Sequence, residues 1–238
     1  MVMQTIYEPK GKAKEYGDLA LNIYTGCPHG CVYCYAPAVL RKDKKKFHSQ
    51  VESRKNIVEE TKKRLAKGDI KGKEIFLCFT CDPFPVGVDD TATYRIIEAI
   101  KDSSNNVAIL TKGRPCAGIL AKLLNEHDRV GVTITEYMRK DQALEPNAAR
   151  TVDRIDLLEK MKQIGVKTFV SFEPVYNPSL VYEYIKTMHC IDEYRIGKLN
   201  YAKSNIDWGE FGRECERLCV EHNRSYFIKA GLRQEMDK

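Results

Sequence analysis

The sequence lacks any long apolar run and has no apolar stretch near its start. No segment approaches the roughly 18 consecutive apolar residues of a membrane-spanning helix, so we expect no membrane association. Residues 1–14 lack the hydrophobic core of a secretory signal, and we therefore expect a cytoplasmic protein whose thiols stay reduced. Beyond one basic stretch there is no low-complexity segment, internal repeat or linker. We predict a single domain over residues 1–238, with a short lead-in at 1–18 and a basic loop at 38–52.

Neither sign of charge dominates the composition. The chain has 39 basic and 33 acidic residues, a net charge of +6, and 43% apolar residues, enough to bury a sizeable core. This mild basic excess permits a polyanionic partner without requiring one. The densest basic stretch, residues 41–46, is interpreted either as a solvated loop or as a contact for nucleic-acid phosphates.

Cysteine is abundant, and three of the nine cysteines lie close together: Cys27, Cys31 and Cys34. Without an export signal, clustered cysteines favour metal binding over disulfides. Three close thiolates with no fourth beside them suggest a metal cluster with one coordination site left open. Pro28 and Gly30 argue against a helix here, so we predict a loop that wraps the metal, with His29 facing solvent.

A zinc site is the competing metal hypothesis. Cys31 and Cys34 form one C-x2-C pair, and Cys78 and Cys81 form another, so four thiolates are available for a tetrahedral ion. The separation of the two pairs far exceeds the roughly 15–20 residues usual for such sites, and Cys27 would be left without a role. The remaining cysteines are interpreted mainly as small buried hydrophobic residues, Cys190, Cys215 and Cys219 among them.

Apolar, β-rich runs alternate with amphipathic stretches along most of the chain. This alternation predicts an α/β fold with a parallel sheet of right-handed βαβ units, too few for a full eight-stranded barrel. We therefore predict a partial (β/α)6 barrel of the TIM type. Strands are predicted at 19–25, 74–80, 106–112, 130–135, 167–175 and 194–199, with a possible last strand at 225–230. Helices are predicted at 53–66, 91–103, 117–127, 152–164, 179–189 and 208–222.

Polar side chains lie at the carboxyl end of every predicted strand, where ligands bind in folds of this class. We therefore expect a shared pocket there. Its candidate residues are the three clustered cysteines, Thr80, Cys81, Asp82, Lys112, Thr133, Thr135, Glu173, Lys198 and Asn200.

The Cys-x3-Cys-x2-Cys pattern after a first strand, with Tyr33 just before the last cysteine, resembles the signature of the radical S-adenosylmethionine (AdoMet) superfamily. The wider sequence is similar to its spore photoproduct lyase-related branch, whose members include DNA repair photolyase-like proteins. The similar segments are 7–11, 15–16, 22–27, 34–37, 80–84, 109–112, 172–174 and 196–200.

This resemblance implies a [4Fe–4S] cluster held by Cys27, Cys31 and Cys34, with AdoMet binding the fourth iron through its amino and carboxylate groups. Reductive cleavage of AdoMet would then give a 5′-deoxyadenosyl radical, so that the cofactor supplies the difficult chemistry. It further implies an external electron donor of the flavodoxin or ferredoxin type.

The resemblance also assigns cofactor-binding positions. Tyr33 would lie beside the adenine, and Lys112 and Thr133 match positions near AdoMet. The alternatives are a strand-end surface lysine for Lys112 and a β-former facing the barrel interior for Thr133. Glu173 could hold the ribose, bind substrate or act as a base, with a structural salt bridge as the alternative.

Two candidate catalytic residues follow from the same comparison. In the lyase, tyrosines flank the last cluster cysteine and one of them relays a hydrogen atom; Tyr33 and Tyr35 occupy these positions here, and Tyr35 is the candidate catalytic residue. The relay cysteine of the lyase aligns with Phe79, with Cys78 and Cys81 beside it, so Cys81 is a candidate hydrogen donor or a packing residue. Lys198, Asn200 and Lys229 are candidates for anchoring a phosphate or a substrate carbonyl.

The leading functional hypothesis is therefore a radical AdoMet enzyme acting on a nucleic acid, in lesion repair or base modification. One alternative keeps the radical chemistry and replaces the substrate with a small molecule, peptide or RNA base. A second alternative is a non-catalytic metal-binding or redox module.

Overall fold

The computed structural model describes residues 5–135, 143–200 and 202–238, and these form one parallel sheet covered by helices. The seven described strands lie in the order of the chain, each paired in parallel with the next. The strands are β1 Leu19–Leu21, β2 Glu74–Leu77, β3 Asn106–Thr111, β4 Arg129–Thr133, β5 Lys167–Phe172, β6 Glu193–Ile196 and β7 Tyr226–Ile228. Since no pairing joins β1 to β7 within these ranges, the predicted partial barrel is confirmed, with the seventh strand present.

The helices follow the strands as the alternation of the sequence predicts. They are α1 Ala36–Val39, α2 Lys44–Ser49, α3 Ile57–Leu65, α4 Thr91–Asp102, α5 Ala117–Leu123, α6 Thr151–Gln163, α7 Pro178–Thr187, α8 Trp208–Glu221 and α9 Ala230–Met236. A short 3-10 helix, Gly11–Glu15, precedes β1. None of the described helices is long and apolar enough to cross a membrane.

Helices pack on the outer face of the sheet, and the inner face is filled by a few large side chains. On the inner face, Phe76 lies in register between Ala20 and Ala108 of the neighbouring strands. Farther along the sheet, the ring of Phe169 occupies the space left by Gly131, its partner on β4. These side chains close the barrel interior and leave open space at the carboxyl ends of the strands.

Several predicted strands extend beyond the observed ones at their carboxyl ends. These predicted strands end at residues 25, 80, 112, 175 and 199. Four of the five paired strands end three or four residues earlier, and β3 ends one residue earlier. The residues between the observed and the predicted ends leave the sheet, and the polar residues that follow the strands line the site described below.

The segment 38–52, predicted as a basic loop, contains the end of α1 and all of α2. Asp43 is the N-cap of α2, where its Oδ1 atom accepts a hydrogen bond of 2.8 Å from the Lys46 amide. Phe47 is the buried residue of this helix. A cap and a single buried aromatic residue therefore order a segment whose composition suggested only solvation.

Candidate active site

A cavity of about 580 Å³ opens at the carboxyl ends of the strands. The sequence analysis proposed nine cofactor, metal and catalytic residues, and the structure brings all nine to the walls of this cavity. They are Cys27, Cys31, Tyr33, Cys34, Tyr35, Cys81, Lys112, Thr133 and Glu173. Parallel topology explains the convergence, because the carboxyl ends of parallel strands meet at one edge of the sheet.

The cysteine loop is a true loop, as predicted, and is held by α2. The Cys27 amide donates to the Phe47 carbonyl (3.2 Å), and the Cys27 carbonyl lies 2.7 Å from Nδ1 of His48. Gly26 passes so close to α2 that a Cβ atom there would lie 2.1 Å from the Phe47 carbonyl oxygen. Gly30 has a φ of +68°, a conformation that favours glycine.

A second segment, residues 143–147, holds the loop from the other side. The Val32 amide donates to the Leu144 carbonyl (3.0 Å), and the Asn147 amide donates to the His29 carbonyl (3.1 Å). The side-chain amide of Asn147 also donates to the Pro28 carbonyl (3.0 Å). The positions of the three cysteines are therefore fixed by segments distant in sequence.

The prediction that His29 faces solvent is wrong, because its side chain is fully buried. Its Nε2 atom accepts a hydrogen bond from the Val86 amide (3.1 Å), and its Nδ1 atom lies 3.6 Å from Oδ2 of Asp82. Burial lowers the pKa of His29 and outweighs the attraction of Asp82. A neutral imidazole thus joins the cysteine loop to the segment after β2.

Asp82 links the ends of β2 and β3. Its Oδ1 atom accepts from the Thr111 hydroxyl (2.5 Å) and the Phe84 amide (2.9 Å), and its Oδ2 atom accepts from the Lys112 amide (2.8 Å). The sequence analysis placed Asp82 in the shared pocket without giving it a role. The structure shows that it orients the backbone at Lys112.

Lys112 projects from the end of β3 toward the cysteine loop, with its Nζ atom 6.0 Å from the centre of the Tyr33 ring. Among the residues that the structure describes, no hydrogen-bond acceptor pairs with this ammonium group. Burial lowers the pKa of Lys112, but attraction to Cys31, Glu145 and Asp82 outweighs it and raises the pKa. The cavity therefore presents a stable positive charge beside the three cysteines, well placed for a carboxylate.

Tyr33 is anchored by an ion pair that the sequence analysis missed. Its hydroxyl donates to the carboxylate of Glu145, which lies 2.5 Å from Nη2 of Arg154. Both charged side chains are buried, with 2% and 0% of their surface exposed. Arg154 also donates to the carbonyls of Thr133 and Ala149, each at 2.8 Å. This network connects the aromatic residue of the cysteine motif to the end of β4.

Glu173 forms the structural ion pair that was one of its predicted alternatives. It pairs with the buried ammonium of Lys229 and accepts a hydrogen bond from the Asn200 side chain at 2.8 Å. Lys229 also donates to Tyr16 and Ser171, which line the cavity together with Glu173 and Asn200. A role of Glu173 in cofactor binding stays a prediction. Lys198 pairs instead with Glu235 of α9.

Of the two candidate catalytic residues, Cys81 follows β2 and Tyr35 is the N-cap of α1. The hydroxyl of Tyr35 donates to the Phe79 carbonyl, which places the Tyr35 ring against the turn that carries Cys81. The Cys81 sulfur accepts a hydrogen bond from the Tyr24 amide at 3.4 Å. Their participation in hydrogen-atom transfer stays a prediction.

The donor set suits an iron–sulfur cluster better than a single ion. Cys27, Cys31 and Cys34 are free thiols on one cavity wall, yet among the described residues no three His, Cys, Asp or Glu side chains could hold one metal ion. A cubane satisfies this arrangement because each cysteine binds a different iron. Burial raises the pKa of Cys31 to about 11, and a bound metal would offset this effect by stabilising the thiolate. The zinc alternative finds no support in this geometry.

The sequence pattern of the Radical SAM superfamily matches residues 21–189. The chain belongs to this superfamily. Membership of this superfamily implies a [4Fe–4S] cluster and AdoMet as cofactors. Membership of this superfamily favours the two enzyme hypotheses over a non-catalytic metal-binding or redox module.

Among curated proteins, the chain is similar to two uncharacterized ones. It is 27% identical over 195 residues to a protein of Acidianus two-tailed virus, and this alignment covers 76% of this chain and 64% of the relative. It is 28% identical over 178 residues to a protein of Methanocaldococcus jannaschii, and this alignment covers 69% of this chain and 63% of the relative. The alignments thus span slightly less than two thirds of each relative.

Solved structures share the fold. A cysteine-to-serine mutant of spore photoproduct lyase has a TM-score of 0.67 at 15% identity, covering 94% of this chain and 79% of that chain. A double mutant of the lyase with bound AdoMet and dinucleoside spore photoproduct has a TM-score of 0.60 at 18% identity, covering 90% and 64%. SuiB of Streptococcus suis bound to S-adenosylmethionine has a TM-score of 0.62 at 14% identity, covering 89% and 50%.

Proposed function

We propose that this radical SAM enzyme acts on a nucleic acid, in lesion repair or base modification. The observation that carries the proposal is the position of the basic segment 38–52. Val39, Phe47 and His48 of this segment line the cavity, whereas all its lysines and Arg41 are exposed. Lys10 and Lys12 of the lead-in also line the cavity. Two basic segments therefore adjoin the rim of the cavity that holds the cluster cysteines.

Such a rim suits a polyanion whose reactive part must enter a cavity. Phosphates along a strand would pair with the exposed cations while one base, flipped out of the stack, reaches the interior. The similarity of the fold to a lyase solved with a dinucleoside spore photoproduct supports this substrate class.

The bound cofactors would supply a one-electron cleavage of AdoMet that gives a 5′-deoxyadenosyl radical. Cys27, Cys31 and Cys34 would hold the cluster. Tyr33 would contact the adenine, Lys112 would pair with the AdoMet carboxylate, and Thr133 would hydrogen-bond a ribose or amino group. Glu173 would orient a ribose hydroxyl, Tyr35 would relay a hydrogen atom, and Cys81 would donate one. A flavodoxin- or ferredoxin-type donor and a cytoplasmic location belong to the same proposal.

Binding of a fluorescent single-stranded oligonucleotide, measured by anisotropy over a salt series, tests the substrate class. The variant Lys45→Gln/Lys46→Gln removes two exposed cations near the cavity. The control Lys67→Gln/Lys71→Gln removes two exposed cations before β2, at the opposite edge of the sheet. If both rim lysines contact phosphates, the slope of log K against log salt falls by about 1.4, since each contact contributes about 0.7. Equal affinity and slope in the two variants would contradict the proposal.

The cluster assignment is tested separately by anaerobic reconstitution of Cys31→Ala. We expect loss of both the cluster absorbance at about 400 nm and the formation of 5′-deoxyadenosine after reduction with dithionite. Product formed at the wild-type rate would exclude Cys31 as a ligand.

A small-molecule or peptide substrate is a second candidate. The cavity volume of about 580 Å³ lies within the range of small-molecule sites. Salt-independent, weak oligonucleotide binding together with turnover of a free metabolite or peptide would favour it.

A further inference from the structure

A pair of cysteines unconnected with the cluster lies in the same cavity. Cys78 and Cys81 both line its wall, and both are free thiols. They are three residues apart in the segment that follows β2, and each side chain shifts the pKa of the other. Two free cysteines on one cavity wall with this separation have the sequence spacing of a redox-active C-x2-C motif.

The backbone of Cys78 has a conformation that is unusual for a cysteine. Its φ is +78°, in the left-handed region that residues with a Cβ atom rarely adopt. Glycine would adopt this conformation more easily, yet the position holds a cysteine whose side chain is buried. Strained backbone of this kind is concentrated at functional sites, which agrees with the position of Cys78 on the cavity wall.

The two sulfurs differ in environment. Cys78 is 7% exposed, whereas Cys81 is partly exposed toward the cavity. The Cys81 sulfur accepts a hydrogen bond from the Tyr24 amide at 3.4 Å. Burial raises the pKa of Cys81, but the neighbouring Cys78 and backbone amides outweigh burial and lower the pKa, whereas burial and the neighbouring Cys81 raise the pKa of Cys78. Cys81 therefore has the character of an attacking thiol and Cys78 that of a resolving thiol.

We propose that Cys78 and Cys81 form a reversible dithiol–disulfide site that exchanges with disulfides of small thiols. The Cys81 thiolate attacks one sulfur of the small disulfide, releasing one thiolate and forming a mixed disulfide. The Cys78 sulfur then displaces the second thiolate, losing its proton and closing the Cys78–Cys81 bond. Two electrons and two protons pass in total from the protein to the small disulfide, which becomes two thiols.

Disulfide formation has a consequence for catalysis that rests on the proposed function. Cys81 would then have no S–H bond to donate, and among the described residues the cluster ligands would be the remaining cysteines on the cavity wall. The redox state of the pair would therefore switch hydrogen donation on and off.

The test uses the reconstituted full-length enzyme under anaerobic conditions, without AdoMet or nucleic acid. The protein is equilibrated at increasing ratios of oxidised to reduced glutathione, quenched with acid, alkylated and digested with trypsin. Both cysteines fall in one peptide, residues 74–95, so their modification is read together. We expect the doubly alkylated peptide to be replaced by an unalkylated form lighter than the reduced peptide by two hydrogen atoms.

Variants separate the roles of the two sulfurs. In Cys78→Ser, glutathione should remain attached to Cys81 because nothing displaces it. In Cys81→Ser, Cys78 should remain alkylatable at every ratio because the attacking thiol is missing. The control Cys116→Ser, at an exposed cysteine outside the cavity, should leave the transition unchanged. The cluster absorbance at about 400 nm, followed in parallel, verifies that the cluster cysteines stay bound to iron.

Two results would overturn the proposal. One is a wild-type peptide that stays doubly alkylated at all ratios. The other is a stable glutathione adduct on wild-type Cys81 beside an alkylated Cys78. Neither depends on the substrate, so the failure of this proposal is distinguishable from failure of oligonucleotide binding.

Discussion

Removal of the Arg154 guanidinium should destabilise the protein strongly, because it leaves the buried Glu145 carboxylate without its cation. Arg154 has no exposed side-chain surface, and it lies 2.5 Å from Glu145 and donates to two backbone carbonyls. Breaking a buried ion pair on one side costs about 3–5 kcal/mol, and we expect Arg154→Met to lose stability in this range. Equilibrium urea unfolding followed by circular dichroism measures the change.

The structure offers both a matched control and a test of the cause. Arg150, one turn earlier, is mostly exposed and pairs with Asp153 at 3.0 Å, so Arg150→Met should cost less than about 1 kcal/mol. Glu145→Gln removes the carboxylate charge and keeps an oxygen that can accept from Tyr33. The double variant Arg154→Met/Glu145→Gln should therefore lose less than the sum of the single changes, by about 1–3 kcal/mol. Strict additivity, or a loss below about 1 kcal/mol in Arg154→Met, would refute this account.

Two further predictions concern the sheet and its stability to acid. Gly131→Ala should destabilise by about 1–3 kcal/mol in thermal unfolding, because its Cβ would lie 2.4 Å from the Phe169 ring. Gly118→Ala, with open space in α5, is the control, and equal melting of the two variants would disprove the packing argument. Burial raises the pKa of Asp192, but hydrogen bonds from Lys162 and Thr168 outweigh it and lower the pKa. The stabilisation of the folded state by this carboxylate is therefore fully present above the unfolded pKa of about 3.9. It is lost as the pH falls through the lower pKa of the folded state. Asp192→Asn should flatten the loss of stability below about pH 5 in urea titrations, and an unchanged slope would contradict this assignment.

The features that the sequence predicted well are those encoded locally. Runs such as Val107–Ala108–Ile109 are buried on both faces of a parallel sheet, so their continuous apolar character identifies a strand without knowledge of its neighbours. The spacing of Cys27, Cys31 and Cys34 likewise depends only on the chain between them. Because topology then gathers the strand ends, a list of polar residues after each strand was enough to locate the cavity.

The features that the sequence could not predict depend on partners far along the chain. His29 is buried because the amide of Val86, 57 residues later, donates to its ring. Glu145 and Arg154 are charged residues that composition alone would place at the surface. They are buried because the segment 143–147 packs against the cysteine loop, a contact between distant parts of the chain.

Two buried lysines near the cavity, Lys112 and Lys229, show how pairing, and not sequence position, distinguishes their environments. Lys112 and Lys229 both follow strands and both retain a raised pKa because nearby anionic groups outweigh the cost of burial. Lys229 is paired with Glu173 and also bound to Tyr16, so its charge is balanced inside the protein. The Lys112 ammonium has no hydrogen-bonded carboxylate among the described residues, since Asp82 binds the Lys112 backbone instead. An anionic ligand entering the cavity should therefore bind on the side of Lys112 and the cysteines, and not beside Lys229, whose charge Glu173 already balances.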